Sequence, residues 1–143
     1  MSTAPAAFVD DQWQRALPTL MDYIAVPARS PMFDPAWEAN GHLAAVARLL
    51  RDWAVAQQLP DATVEIVQPT GLTPVLLVEV PASEAALDQH TVLLYGHMDK
   101  QPEMEPWAPG HGPWLPVLEG DRLYGRGGAD DGYSVFAALI ALR

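Results

Sequence analysis

Apolar residues recur at helical spacing in two stretches of the N-terminal half of the chain. Over residues 10–24 they fall three or four positions apart, which predicts an amphipathic helix with an aspartate available to cap its start. Pro18 lies inside this pattern and should kink the helix or split it. A second stripe follows Asp34-Pro35, an acidic cap with proline in the first turn, and predicts a helix through about Gln57.

Three shorter patterns predict strands. Residues 62–67 alternate apolar with polar side chains, as expected of a half-buried strand, and residues 74–80 are more continuously apolar, as expected of a central one. A polar connection at residues 81–90 leads to Thr91–Tyr95, which is apolar enough to predict another central strand. We therefore expect a sheet with residues 74–80 and 91–95 near its middle.

The remaining chain is irregular at first and then regular again. Residues 100–116 contain five prolines, which predicts an irregular loop. We expect Trp107 and Trp114 to anchor this loop to the domain. Residues 117–123 predict a small hairpin. Residues 131–143 have a helical pattern that is apolar nearly all round, which predicts a buried helix.

Helices followed by strands and a buried helix indicate an α/β fold, with a mixed sheet in a single layered domain. The last helix stops at Arg143 without a glycine cap or a following element to cover it. We therefore expect residues 1–143 to be the N-terminal portion of a longer domain whose later strands follow Arg143.

The composition removes several classes of function. The formal net charge is −10 with only eight lysines and arginines, which argues against nucleic acid or anionic membrane as a partner. Cysteine is absent, so a metal ion would have to be bound by imidazole and carboxylate groups. The N-terminus does not have the pattern of a signal peptide, and no stretch approaches the roughly 20 apolar residues of a membrane helix. We therefore expect a cytoplasmic protein.

A histidine and an aspartate follow the last apolar run, in Gly96-His97-Met98-Asp99. Alternate residues of a strand point to one face, so His97 and Asp99 should lie side by side at its carboxyl end, where sites gather in open α/β sheets. A neutral imidazole is a common zinc ligand, and its ring needs a partner to fix the tautomer. Asp99 could be that partner or a ligand itself.

A glycine-rich segment, Gly125-Arg126-Gly127-Gly128-Ala129-Asp130, follows the predicted hairpin. Its glycines allow a tight backbone path that brings Asp130 to the mouth of the last helix, where a carboxylate is stabilised in its charged form. Such a carboxylate can bridge two divalent cations, which a single histidine nitrogen cannot. The alternative is that Asp130 or Asp131 simply caps the helix.

Together the two segments resemble the co-catalytic di-zinc metallopeptidases, the family of carnosinase-like dipeptidases, aminoacylases and glutamate carboxypeptidases. The first motif of that family, an apolar strand ending in Gly-His-x-Asp, matches residues 96–99. The second, Gly-Arg-Gly-x-x-Asp before a helix, matches residues 125–130. The similarity extends over residues 91–143 and favours the dipeptidase branch.

The resemblance implies that the chain is the N-terminal part of a zinc-peptidase catalytic domain. His97 would ligate one Zn²⁺, Asp130 would bridge two, and Asp99 would serve catalysis by orienting the His97 ring. Mn²⁺ or Co²⁺ would also fit such a site. The implied reaction is hydrolysis of an amide bond in a dipeptide or small peptide by a metal-activated water, with a glutamate as general base.

The same resemblance implies that the other ligands, the general base and a lid domain for homodimer formation follow Arg143. We therefore expect no appreciable peptidase activity from residues 1–143 alone. After Asp130-Asp131 the family usually carries Lys-Gly, whereas this chain has Gly132-Tyr133. That departure concerns the substrate side of the site and leaves the proposed ligands unchanged.

Other interpretations remain open. An N-acyl amino acid deacylase of the same family fits the motifs as well as a dipeptidase does, and the chain could instead be a non-catalytic binding module. Nucleotide binding through residues 125–130 is disfavoured, because Asp130 stands where a dinucleotide fingerprint needs its third glycine. His42, His90 and His111 are expected to be structural or loop residues, although His111 could approach a substrate.

Overall fold

A computed structural model describes residues 4–82 and 90–143. The described elements are α1 (Ala4–Ala25), α2 (Trp37–Asn40), α3 (His42–Ala56), β1 (Thr63–Val67), β2 (Val75–Glu79), β3 (Val117–Glu119), β4 (Arg122–Tyr124) and α4 (Ser134–Ala141). The α/β class is confirmed. The polar connection predicted at 81–90 lies largely outside the described residues.

Helix α1 runs without interruption through Pro18. Of the two outcomes expected at this proline, a split is therefore wrong, and a kink stays a prediction. The buried face of α1, which includes Ala16, Leu20 and Tyr23, packs into the core on both sides of the proline. Tertiary packing of an amphipathic face contributes more to helix stability than one backbone hydrogen bond, so the helix continues.

The single helix predicted after Asp34 is two helices, because Gly41 separates α2 from α3 with a left-handed φ of 70°. The Asp34 carboxylate accepts hydrogen bonds from the Ala36 backbone N–H, at 3.1 Å, and from the Asn40 side chain. The Asn40 side-chain oxygen in turn accepts from the His42 N–H at 3.1 Å. Such local bonds compete with a continuous helix, and glycine adopts the left-handed turn without strain.

The core lies where α1, α3 and α4 meet. Its buried cluster consists of Ala16, Leu20, Tyr23, Ile24, Ala28, Leu43, Val46, Leu50 and Phe136. Phe136 is 1% exposed, and its ring centroid lies 4.5 Å from that of Trp53 on α3. Helix α4 buries Phe136 and Leu139 fully and its other residues only in part or not at all, so the predicted buried helix is corrected to a partly buried one.

The described strands form two separate antiparallel pairs rather than one mixed sheet. Strand β1 pairs with β2, and its alternation of exposed and half-buried residues confirms the strand predicted at 62–67. Strand β2 is not central, because β1 is its only partner in the described chain and Val75 and Leu77 are exposed. Strands β3 and β4 form the predicted hairpin.

The predicted central strand at Thr91–Tyr95 belongs to neither pair. Val92, Leu93 and Tyr95 are between 82% and 87% exposed. An apolar run favours burial, but a strand also needs a neighbouring edge for its backbone N–H and C=O groups. In the part of the chain that the structure describes, no strand supplies that edge. Residues 91–95 are therefore an exposed, irregular segment that leads to His97.

None of the described helices has the combination of length and apolar character that a bilayer crossing requires.

Removing the Phe136 side chain tests the position of the core. Phe136→Ala is expected to lower the free energy of unfolding by about 3 kcal/mol, because the cavity opens against α1 and α3. The matched control is Phe8→Ala, since Phe8 is 39% exposed on α1 and should lose roughly 1 kcal/mol or less. Urea denaturation measures both, and equal losses would contradict this placement of the core.

Candidate metal centre

The two motif segments meet beside the start of α4 and bring all three predicted site residues together. The Nδ1 atom of His97 lies 3.2 Å from Oδ1 of Asp99. The Nε2 atom of the same ring lies 3.4 Å from Oδ1 of Asp130. The two aspartates therefore face opposite nitrogens of one imidazole, as a ligand and an orienting residue would.

Asp131 contributes a contact that sequence reasoning missed. Its Oδ2 accepts a hydrogen bond from the backbone N–H of His97 at 3.1 Å, so it ties the second segment to the first. Helix α4 begins at Ser134 and receives no side-chain cap. The alternative that Asp130 or Asp131 caps this helix is therefore wrong. The only sequence signal for the contact was the position of Asp131 next to Asp130.

Gly96 allows the two segments to approach this closely. A Cβ atom at this position would collide with the Ser134 hydroxyl and lie 3.0 Å from Oδ2 of Asp131. The glycine of the Gly-His-x-Asp motif is therefore needed for contact with α4 and the loop before it.

The surroundings of His97 determine its tautomer. Nδ1 lies 3.1 Å from the carbonyl oxygen of Asp99 as well as 3.2 Å from its carboxylate. Both oxygens are acceptors, so Nδ1 carries the ring proton and donates it. In the neutral ring, Nε2 is left with a free lone pair directed toward the Asp130 side, which is the arrangement of a metal-ligating histidine.

The separation of Nε2 and Asp130 Oδ1 fits a shared metal ion better than a direct hydrogen bond. At 3.4 Å it exceeds the roughly 2.7–3.2 Å of an N–H···O bond. Two ligand bonds of about 2.0–2.1 Å at a tetrahedral angle would place N and O about 3.4 Å apart. Within the described ranges, however, no group of three or more histidine, aspartate or glutamate side chains could hold a metal ion. The described residues thus provide a two-ligand pair.

Lys100 lies immediately after Asp99 and is 1% exposed. Its Nζ donates hydrogen bonds to the carbonyl oxygens of Tyr23, Ile24 and Val26 at the end of α1, at 2.5, 3.1 and 2.7 Å. Burial lowers the pKa of Lys100 to about 7. Sequence reasoning missed this residue, because a lysine in a polar loop is usually exposed.

Tyr23 lies between Lys100 and the acidic residues. Its hydroxyl donates to the Met98 carbonyl oxygen at 3.1 Å. Burial, and then the negative charges of Asp99, Asp131 and Asp130, raise the pKa of Tyr23 above its ordinary value. The phenol therefore keeps its proton and remains a hydrogen-bond donor to the first segment.

His111 belongs to a different part of the surface. It lines a cleft of about 520 Å³ together with Trp107, Tyr124 and Arg126, and neither His97 nor either motif aspartate lines that cleft. The His111 ring packs edge-on against Tyr124, with centroids 4.5 Å apart. The Trp107 indole N–H donates to the Glu103 carbonyl oxygen at 2.9 Å, which is a bond within the loop itself. That Trp107 anchors the loop to the domain stays a prediction.

Comparisons with known proteins agree with the two motifs. Residues 93–143 match Peptidase family M20/M25/M40. Succinyl-diaminopimelate desuccinylase of Gluconobacter oxydans (strain 621H) is 49% identical over 57 residues, which are 38% of this chain and 14% of that protein. The crystal structure of human carnosine dipeptidase 1 superposes with a TM-score of 0.66 at 24% identity, over 95% of this chain and 29% of that one.

The chain thus spans less than a third of either protein. The likeness to the dipeptidase structure shows the fold. The family resemblance inferred from the motifs is confirmed, and the chain resembles the N-terminal segment of an M20 metallopeptidase.

The lowered pKa of Lys100 predicts a pH-dependent stability. The unfolded chain, with an ordinary lysine pKa near 10.4, binds more protons than the folded chain above pH 7. The free energy of unfolding should therefore rise with pH in this window, by about 2 kcal/mol between pH 7 and pH 9. Urea denaturation at each pH, compared with Lys100→Met, isolates this contribution. Parallel pH profiles of the two proteins would contradict it.

Proposed function

We propose that this chain supplies two of the protein ligands of a zinc site, His97 and Asp130, in an amide hydrolase of the M20 type that acts on a dipeptide or small peptide. The observation that carries the proposal is the 3.4 Å separation between Nε2 of His97 and Oδ1 of Asp130, two groups that commonly ligate zinc. The family match supports it, because residues 93–143 include both ligands and Asp99.

The three motif side chains and Asp131, which follows the second motif, each have a separate task in this proposal. His97 presents the lone pair of Nε2, and Asp99 keeps the ring proton on Nδ1. Asp130 adds a carboxylate whose two oxygens can reach two ions, and Asp131 fixes the His97 backbone. Divalent ions bound here would supply Lewis-acid chemistry, which polarises a carbonyl group and acidifies water.

The second candidate is an N-acyl amino acid deacylase. The similarity to a desuccinylase favours it, since that relative is 49% identical over 57 residues of this chain. Both reactions break an amide bond, so the same metal chemistry serves either one. The two candidates differ in the group on the acyl side of that bond.

Metal binding by the 143-residue chain tests the assignment of ligands. His97→Ala and Asp130→Ala are each expected to weaken Zn²⁺ binding at least ten-fold, because each removes one of two protein ligands. Isothermal titration calorimetry measures the affinity. His42→Ala and Asp121→Ala are matched controls outside both motifs and should bind as the wild type does. If all four variants bound equally, the ligand assignment would be wrong.

Substrate hydrolysis tests the reaction in a longer form of the protein that contains the remaining ligands and the general base. There the same two variants are expected to lose at least 10³ in kcat/KM, which corresponds to about 4 kcal/mol of transition-state stabilisation. Turnover of a dipeptide, compared with turnover of an N-succinyl amino acid, decides between the two candidates. Full activity of either variant would rule out the proposed metal pair.

A further inference from the structure

We propose that Lys100 is a positioning residue for this metal pair. Its buried amine joins the end of α1 to both motif segments and thereby sets the separation of His97 and Asp130. Lys100 is the only lysine in the sequence, since the other basic residues are arginines. The inference rests on the proposed metal-binding function and adds a residue that is neither a ligand nor in contact with the ring of His97.

The first step is the contact with α1. The last turn of a helix leaves carbonyl groups without partners, and α1 has no basic residue of its own in that turn. Lys100 supplies a donor from a distant part of the chain, through its three hydrogen bonds to backbone carbonyls. The Tyr23 and Val26 carbonyls also accept the backbone N–H groups of Val26 and Ala28, whereas Ile24 relies on the lysine. Its amine also lies 4.1 Å from the ring centroid of Tyr23.

The second step links this contact to the first motif segment. The backbone N–H of Lys100 donates to the Ala28 carbonyl at 2.9 Å, and its carbonyl accepts from the Ser30 N–H at 2.9 Å. On the other side of Asp99, the Met98 carbonyl accepts the Tyr23 hydroxyl. Residues on both sides of Asp99 are therefore bonded to α1 and the turn after it.

The third step reaches the second segment. Gly127 packs against the Lys100 stem so closely that a Cβ atom there would lie 2.8 Å from Cε of the lysine. Gly132 packs against the Tyr23 ring, and any side chain at this position would collide with that ring.

The consequence is that one buried side chain supports both halves of the metal pair. Removal of the amine would take one hydrogen bond from each of the three carbonyls, of which only that of Ile24 has no backbone donor in the described chain. The stem against which Gly127 packs would then no longer be attached to the end of α1. The distance from Nε2 to Asp130 would then no longer be fixed. Metal binding should weaken although both ligands are still present.

The test uses Co²⁺ as the probe, because its visible absorption spectrum reports coordination geometry. Lys100→Met, which keeps most of the stem, is expected to bind Co²⁺ about ten-fold more weakly than the wild type and to show an altered spectrum at saturation. Arg48→Met removes an exposed cation from α3 and is the matched control. It should keep the affinity and the spectrum of the wild type.

A second measurement uses the wild-type chain alone. Lys100 and the N-terminal amine are the only amines that acetic anhydride can modify, and mass spectrometry distinguishes each of them from any acetylated tyrosine. Saturating Co²⁺ is expected to slow acetylation of Lys100 at least five-fold and to leave the N-terminal amine unaffected. Equal rates with and without Co²⁺ would overturn the inference, and this measurement decides the matter if Lys100→Met does not fold.

The outcomes separate this inference from the proposed function. If the wild type binds Co²⁺ and Lys100→Met matches its affinity and spectrum, the role of Lys100 is wrong and the metal pair stands. If the wild type binds no Co²⁺, the metal pair is wrong and Lys100 has no site to position.

Discussion

The arrangement of the candidate site depends on a lysine amine buried against the end of a helix. A buried charge is unfavourable unless polar partners replace the lost water. Here three backbone carbonyls and an aromatic face provide those partners. The replacement is incomplete, because burial still lowers the pKa of Lys100 to about 7. The burial of Lys100 therefore lowers the stability of the fold. It also holds α1 and the two motif segments together at one residue.

Negative charge is concentrated near Tyr23, the residue whose ring lies beside the Lys100 amine. Asp99, Asp130 and Asp131 all raise the pKa of Tyr23, which places the phenol within their electrostatic influence. Only one imidazole, that of His97, is paired with two of these carboxylates in the described chain. In the proposed function, this pairing of one imidazole with two carboxylates is the argument for a cation. The net charge of −10 is a weaker argument, since most acidic residues in the described ranges are exposed to solvent.

The strand predictions show that the local hydrophobic pattern predicts where a strand lies in the sequence but not its position in a sheet. β1 was predicted in the right place and with the right face inward, because alternation depends only on its own side chains. The central position predicted for β2 and for Thr91–Tyr95 depends on neighbouring strands, which are not encoded within either segment. In the described chain β2 has a single partner and Val92 and Leu93 are exposed.

The sequence by itself determined the α/β class, the positions of α1, α3 and α4, the hairpin and the two motifs that carry His97, Asp99 and Asp130, but not the break at Gly41. These features depend on periodicity and on short spacings, which are local properties of the chain. Only the tertiary structure decided that Asp131 binds the His97 backbone, that Gly96 is needed for contact with Ser134, and that Lys100 is buried. The reason is physical, because each of these contacts joins residues that are far apart in sequence and depends on how α1 packs beneath the two loops.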